Sequence, residues 1–121
     1  MAWPFGTLRG WRAANRKLPL QPKPRRARAY VTAPWDLTSF PDLILVDGRY
    51  RVACALEAAR RAHANGAAAT LMFDDYATRP HYHPVERLLG PPEPAGRTAL
   101  FRIGTAAVTE ADVEPWLHDW R

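Results

Sequence analysis

The spacing of apolar and polar residues changes along the chain, and from residue 41 onward it predicts a series of short elements. The run "DLILVDG" has four consecutive apolar residues ended by Asp47 and Gly48, which is typical of a strand buried on both faces. The segment "RYRVACALEAARRAHANG" repeats apolar residues at helical spacing and ends at Asn65 and Gly66. Next, "AAATLMF" predicts a second buried strand. This order of strand, helix and strand predicts a right-handed βαβ unit with parallel strands.

The rest of the chain predicts smaller elements. The segment "HPVERLLG" indicates a short helix with Pro84 in its first turn, "GPPEPAG" a loop, and the alternating "RTALFRI" an antiparallel strand. The segment "TEADVEPWLHDW" indicates a short helix that starts at an N-cap, Thr109, and covers an edge of the sheet with Trp116 and Trp120. The three prolines of "KLPLQPKPRRARAY" favour extended, polyproline-like backbone over helix.

Charge divides the chain into two parts. Residues 1–35 hold eight Lys or Arg and no acid, whereas residues 36–121 hold nine Lys or Arg and all twelve acids. Together with a length of 121 residues, this predicts a basic, proline-rich arm over residues 1–40 and one α/β domain over residues 41–121.

The N-terminus lacks the apolar stretch of a signal peptide, no run of apolar residues is long enough to span a bilayer, and the single cysteine, Cys54, excludes an internal disulfide. We therefore expect a cytoplasmic protein that does not insert into membranes.

Acidic residues follow both predicted strands. Asp47 ends the first strand, and Asp74 and Asp75 end the second within "TLMFDDYATRPHYH". The ends of neighbouring parallel strands lie about 5 Å apart, and the loops that leave them carry functional groups in α/β proteins. Three carboxylates at one rim predict a site for a divalent cation such as Mg²⁺ or Ca²⁺. Alternatively, nearby arginines neutralise the rim: Arg49, Arg51 or Arg79.

The segments "DLILVDGRYRVACALEAA" and "TLMFDDYATRPHYHPVERLLGPPEPAGRTALFRI" resemble the class I S-adenosylmethionine-dependent methyltransferase-like family. The resemblance covers roughly residues 42–103 and matches the C-terminal half of that fold. It implies a partial Rossmann-like, methyltransferase-like three-layer sandwich: the βαβ unit plus a further helix and an antiparallel strand, with S-adenosylmethionine as cofactor. The family's glycine-rich turn has no counterpart before Asp47. The expected chain is thus a truncated or split relative that lacks the N-terminal cofactor-binding half, or a relative in which a different N-terminal part replaces that half, and its cofactor-binding residues are unknown.

The resemblance also implies roles for the rim residues. The Mg²⁺-dependent catechol-type O-methyltransferases are similar in placing an Asp after the fourth strand and an Asp-Asn pair after the fifth. These positions match Asp47 and the pair Asp74 and Asp75, which implies that the three acids hold Mg²⁺ or the methyl acceptor. In such an enzyme we expect proton removal to involve Asp47, Asp74 and His83, and a small-molecule acceptor to contact Arg49, Arg79 and His81.

Several alternatives stay open at the level of sequence. One alternative is that Asp47 serves only the start of the following helix, Cys54 fits a packing role, and the H-x-H pair of His81 and His83 suits either zinc or plain packing. The strand edge at residues 43–47 needs a cover, either residues 1–40, a second copy or a partner chain, because an exposed apolar edge promotes aggregation. A non-catalytic module that binds a partner or nucleic acid is the alternative function. Its contacts to phosphates and bases would come from the basic arm: Lys17, Lys23, Arg25, Arg26 and Arg28, with Trp11 and Tyr30.

Overall fold

The computed structural model describes residues 24–37 and 39–121 of the chain. Within this part, the α-helices are α1 (Pro24–Thr32), α2 (Arg51–Ala64), α3 (Glu86–Leu89) and α4 (Glu110–Val113). The strands are β1 (Leu43–Val46), β2 (Ala69–Phe73), β3 (Glu93–Ala95) and β4 (Thr98–Ile103). Three 3-10 turns connect them: Ala33–Trp35, Pro80–Val85 and Glu114–His118. No helix among the described residues has the length and apolar character needed to cross a bilayer.

The four strands form one mixed sheet in the order β1-β2-β4-β3. Strands β1 and β2 are parallel, with Val46 opposite Phe73, and β4 runs antiparallel to β2. Both strand directions confirm the sequence prediction. The prediction of a plain loop over "GPPEPAG" was wrong, because Glu93–Ala95 pairs with β4 through a tight turn in which Gly96 has a φ of +64°. Pro94 is tolerated there because β3 is an edge strand, where a missing amide breaks no ladder bond.

The core lies between one face of the sheet and α2. Alternate strand residues point to that face and are buried: Ile44, Val46, Ala69, Leu71, Phe73, Ala99, Phe101 and Ile103. Residues of the opposite face, such as Leu45 and Met72, are only partly buried, and Arg102 is exposed. Helices α1 and α4 pack on α2. The described residues therefore form a mixed four-stranded sheet with helices, an α/β arrangement, and the three-layer sandwich stays a prediction.

Helix α1 overturns the prediction of extended backbone for its part of the arm. Pro24 is its first residue, a position where a helix needs no amide hydrogen, and no further proline follows before Pro34. Ala27 and Val31 are fully buried in the common core, and the Tyr30 ring lies 5.7 Å from that of Tyr50. Helix α1 therefore packs onto the body of the molecule. The predictions for residues 1–23 lie outside the described residues.

A buried carboxylate reinforces the helical layer. Glu57 on α2 is 2% exposed and accepts hydrogen bonds from Arg60 at 2.9 Å and from Arg61 at 2.7 Å. Burial by itself raises the pKa of Glu57, but the bonds from the two guanidinium groups outweigh it and lower the pKa below its ordinary value. Arg28 of α1 forms an ion pair with Glu114 in the C-terminal turn. Charge pairing thus ties α1 to the turn that follows α4.

Candidate functional site

Strands β1 and β2 end side by side at one rim of the sheet. The amide of Asp74 donates to the carbonyl of Val46 at 3.1 Å, so the first residue after β2 lies against the last residue of β1. The Asp74 carboxylate lies near enough to Asp47 to raise the pKa of the Asp47 carboxyl group. The structure therefore brings together two of the three acids in the way that the sequence predicts.

The neighbours of Asp47 perturb its carboxyl group. Burial raises the pKa of Asp47, the Arg51 guanidinium opposes that shift, and the carboxylates of Asp74 and Asp75 raise the pKa further. The net effect is an Asp47 pKa above its ordinary value. The rim therefore presents two neighbouring carboxyl groups, a carboxyl pair in which burial and like charge make ionisation of Asp47 less favourable than in water.

Arg51 holds the two strand-end loops in place. Its Nε donates to the carbonyl of Gly48 at 3.0 Å, one terminal nitrogen donates to the carbonyl of Asp74 at 2.9 Å, and the other lies 3.3 Å from Asp47 Oδ1. A planar guanidinium group can make these contacts at once, which an ammonium group on a flexible chain cannot. Sequence reasoning treated Arg51 only as one possible counterion. The spacing of four residues between Asp47 and Arg51 was the sequence signal for their ion pair. No sequence pattern indicated the contacts of Arg51 with the carbonyls of Gly48 and Asp74.

The C-terminal segment caps the start of α2. Tyr50, the N-cap residue, has a left-handed φ of 55° and offers no side-chain cap. The amides of Tyr50 and Arg51 instead donate to the carbonyls of Trp120 and Arg121, at 3.1 and 3.3 Å. The Arg49 guanidinium lies 4.4 Å from the centre of the Trp120 ring. Among the described residues no backbone amide of α2 donates to Asp47, whose contact with the helix start is the ion pair with Arg51, and Trp120 lies against Arg49 of the β1–α2 loop.

Asp75 takes part in a different set of contacts. It has a left-handed φ of 53°, and its two carboxylate oxygens lie 3.9 Å from Arg79 and 3.8 Å from Arg97. These arginines already neutralise it. Within residues 24–37 and 39–121, no three His, Cys, Asp or Glu side chains are grouped to hold a metal ion. The structure therefore lends no support to the expected Mg²⁺ site of Asp47, Asp74 and Asp75, nor to zinc at the H-x-H pair.

The two histidines have different environments. His83 lies at a hydrogen-bonding distance of 3.0 Å, through Nε2, from the Tyr76 carbonyl, and its ring stacks on that of Tyr76. The buried Nε2 of His81 has no hydrogen-bond partner among the described residues, and its ring packs on Tyr82. Burial, followed by the positive charge of Arg121, lowers the pKa of His81. The neutral form of His81 is therefore favoured and its Nε2 is enclosed without a partner among the described residues, whereas His83 contacts Tyr76 through its ring and its Nε2.

Comparisons with known proteins place this geometry in context. No protein-family model and no curated protein matches the chain. Among solved structures, the chain is similar to a methyltransferase-like protein from Silicibacter pomeroyi DSS-3, with 34% sequence identity and a TM-score of 0.65. The match covers 79% of this chain and 50% of that one. In sequence and in fold, this chain is therefore similar to a methyltransferase-like protein, and it spans about half of that protein's length.

Proposed function

We propose that this chain is the acceptor-side half of an S-adenosylmethionine-dependent methyltransferase-like protein. The carboxyl pair of Asp47 and Asp74 carries the proposal, because it lies where two parallel strands end and where α/β proteins bind their ligands. The similarity to a methyltransferase-like protein supports the reaction class. A bound S-adenosylmethionine would supply the methyl group, and this chain would orient the acceptor.

The rim residues suit an acceptor that carries a hydroxyl or amine group. The carboxyl pair accepts a hydrogen bond from such a group and takes up its proton, and Arg51 keeps both acids in place. The two histidines are less suited to this step, because His83 Nε2 lies at hydrogen-bonding distance from the Tyr76 carbonyl and His81 Nε2 is buried. Arg49 and Arg79 flank the rim and contact the polar remainder of the acceptor.

The described residues alone do not fit the cofactor. A dinucleotide or nucleoside cofactor in α/β folds uses free backbone amides at a helix start, as a glycine-rich turn provides. Here the amides of Tyr50 and Arg51 are already bonded to the C-terminal segment. We therefore propose that contacts to S-adenosylmethionine come from polypeptide outside residues 24–121.

Isothermal titration with S-adenosylmethionine tests this proposal, with and without Mg²⁺. Three proteins are compared: the full chain, the S. pomeroyi protein, and a chimera in which the full chain replaces the half of that protein that it matches. We expect heat from the S. pomeroyi protein and the chimera, and none from the full chain alone. Asp47→Asn in the chimera is the matched control, since an acceptor-site residue leaves cofactor affinity unchanged.

Two results would overturn the proposal. If the S. pomeroyi protein binds S-adenosylmethionine and a folded chimera does not, this chain is not an equivalent half. If the full chain alone binds with the affinity of the chimera, the second half is not needed. A heat of S-adenosylmethionine binding that depends on Mg²⁺ would support the predicted metal site of Asp47, Asp74 and Asp75.

Nucleic-acid binding by the basic arm is less well supported. Tyr30 packs against Tyr50 and so cannot stack on a base, and Arg28 is paired with Glu114. Arg25 and Arg26 are exposed, whereas Lys17, Lys23 and Trp11 lie outside the described residues. Binding of single-stranded RNA over a salt series tests this alternative. Affinity that falls steeply with salt would favour it, because released counterions drive phosphate contacts.

A further inference from the structure

The turn between β3 and β4 brings Arg97 to the rim where β1 and β2 end. The Arg97 carbonyl accepts from the amides of Tyr76 at 2.8 Å and Ala77 at 3.2 Å, so this turn packs on the loop that follows β2. The next residue, Thr98, donates from its hydroxyl to Asp74 Oδ1 at 3.3 Å. The backbone thus holds Arg97 beside one acid of the proposed acceptor site.

The Asp75 carboxylate lies between two guanidinium groups whose N–H donors it leaves free. One oxygen lies 3.9 Å from Arg79 and the other 3.8 Å from Arg97, and both distances are longer than a hydrogen bond. Among the described residues, the Arg79 side chain donates only a long bond of 3.5 Å, to the Tyr82 hydroxyl, and the Arg97 side chain donates none. The two arginine side chains are 47% and 76% exposed, so their donors are accessible to a ligand.

Positive charge predominates around this loop. Two guanidinium groups against the one carboxylate of Asp75 leave one net positive charge. The charges that act on His81 have a similar balance: after burial, the main cause, three arginines lower its pKa, and one acid, Asp119, opposes them. Planar guanidinium groups with free N–H donors bind the paired oxygens of carboxylate and phosphate groups. The loop therefore suits an anionic group better than a neutral or cationic one.

We infer that Arg79 and Arg97 form an oxyanion site at the rim, and that the methyl acceptor carries a carboxylate or phosphate group besides its hydroxyl or amine. The inference rests on the proposed function and narrows it to anionic acceptors. The carboxyl pair of Asp47 and Asp74 faces the hydroxyl or amine, and the two arginines hold the anionic group. Asp75 is a positioning residue, which keeps both guanidinium groups at the loop and limits the affinity for anions through its own charge.

Titration of the full chain with inorganic phosphate, followed by NMR of the arginine Nε–H signals, tests this site. Acetate is the second probe, and sodium chloride at equal ionic strength is the control, because screening acts on every exposed arginine. We expect saturable shifts at Arg79 and Arg97 with phosphate or acetate and none with chloride. Tighter binding of phosphate assigns a phosphate-bearing acceptor, and tighter binding of acetate assigns a carboxylate. Equal shifts in all three salts would overturn the inference.

Substitution of Arg97 gives a quantitative test. Arg97→Ala should weaken the binding of phosphate about five-fold or more, as expected for loss of a unit charge at about 4 Å in water. The fold should survive, because the side chain is largely exposed and the bonds to the β2 loop come from the backbone. Arg97→Lys keeps the charge but loses the planar pair of donors, so its affinity should be intermediate.

Arg102→Ala is the matched control for Arg97→Ala. Arg102 is also exposed on β4, but it lies opposite Thr70 and therefore near the start of β2, at the end of the sheet away from the rim. We expect it to leave the affinity for phosphate unchanged. Equal losses in Arg102→Ala and Arg97→Ala would show that phosphate responds only to overall charge, and the proposed site would be wrong.

Asp75→Asn should have the opposite effect to Arg97→Ala. Asn tolerates the left-handed backbone that Asp75 adopts, with a φ of 53°, so the loop should keep its conformation. Removal of the negative charge between the two guanidinium groups should strengthen the binding of phosphate about five-fold, by the same Coulomb argument. Unchanged or weaker binding would contradict an anion bound beside Asp75.

The phosphate titration needs no S-adenosylmethionine, so it can fail independently of the proposed function. Phosphate binding at Arg79 and Arg97, together with a chimera that gives no heat with the cofactor, would keep the oxyanion site and reject its role in methyl transfer. Heat from the chimera without phosphate binding by the full chain would reject the oxyanion site and leave the proposed function standing.

Discussion

At the scale of single residues, Gly104 has the closest backbone approach among the glycines described. Its φ is +120°, and a Cβ placed on it would lie 2.1 Å from the carbonyl oxygen of Ala67. That oxygen belongs to the backbone and cannot rotate away. We therefore predict that Gly104→Ala lowers the free energy of unfolding by about 2 to 4 kcal/mol, through strain and local displacement together. Urea denaturation at neutral pH measures the loss.

Gly90→Ala is the matched control for that prediction. Gly90 also has a positive φ, +77°, but a Cβ there meets nothing within 4 Å. Only conformational strain remains, because with a ψ of −179° Gly90 lies in a backbone region almost restricted to glycine, and such strain typically costs about 1 to 3 kcal/mol. Equal losses in the two variants would show that the contact with Ala67 does not constrain Gly104.

Asp47 allows a prediction about pH. An acid whose folded pKa is raised stabilises the protein in its protonated form, so the contribution is present below the ordinary pKa of about 3.9 and is lost as pH rises through the raised value. Asn imitates the protonated form. We therefore predict that Asp47→Asn is slightly more stable than the wild type at pH 7, by less than about 1 kcal/mol because the side chain is half exposed, with no difference at pH 3.

Urea unfolding at the two pH values measures this effect, with Asp36→Asn as the control at an exposed acid. A clear loss of stability in Asp47→Asn at pH 7 would mean that the ion pair with Arg51 outweighs burial and the two neighbouring acids. Asp47 would then have a structural role, and the proposed role of Asp47 and Asp74 in binding the acceptor would lose its support.

At the scale of elements, the C-terminal segment replaces a side-chain cap on α2. Ending the chain after His118 removes the carbonyls that accept from Tyr50 and Arg51, together with the ring beneath Arg49. Loss of a helix cap and a cation–π contact should lower the free energy of unfolding by about 1 to 3 kcal/mol. The amides of Tyr50 and Arg51 should exchange faster. Amides in the middle of α2 should lose only as much protection as the fall in global stability accounts for.

Trp120→Ala separates the two contributions of this segment. It removes the ring and leaves the backbone carbonyls, so we expect a smaller loss of stability than in the truncated chain and nearly normal protection of the Tyr50 amide. His118→Ala, at an exposed position, is the control. Exchange of the Tyr50 and Arg51 amides that is unchanged by the truncation would show that the segment does not cap α2.

At the scale of the whole molecule, α1 shares one core with the α/β domain. Val31 is 1% exposed and belongs to the same buried cluster as the residues of the sheet and α2. We predict that Val31→Ala lowers the free energy of unfolding by about 1 to 3 kcal/mol, as for other truncations of buried aliphatic side chains. Circular dichroism and tryptophan fluorescence should report a single, coincident transition.

Leu37→Ala is the control, because Leu37 is a large and largely exposed aliphatic residue just beyond α1. A Val31→Ala variant with wild-type stability, or two separate transitions, would mean that α1 is an independent arm. Such a result would also support the domain boundary at residue 40 that the sequence predicts.

Much of this architecture follows from the sequence by itself, because the period of apolar residues reports which face of an element is buried. Continuous apolar runs indicated β1 and β2, alternation indicated β4, and Thr109 forms the predicted cap with a capping box to Asp112. The same patterns placed Asp47 and Asp74 at one rim, since parallel neighbours end together. The proline content misled at α1, where Pro24 begins a helix, and at β3, where Pro94 lies in an edge strand.

Only the tertiary structure decided how the rim is held together. The caps on α2 come from Trp120 and Arg121, and Asp75 pairs with Arg97. These partners are distant in sequence, and each contact depends on a carbonyl or guanidinium group whose position is set by packing elsewhere. Apolar periodicity carries no information about such contacts. The sequence alone thus determined most of the described elements and the proximity of Asp47 and Asp74. The tertiary structure determined which acids pair with arginines and which residues cap the start of α2.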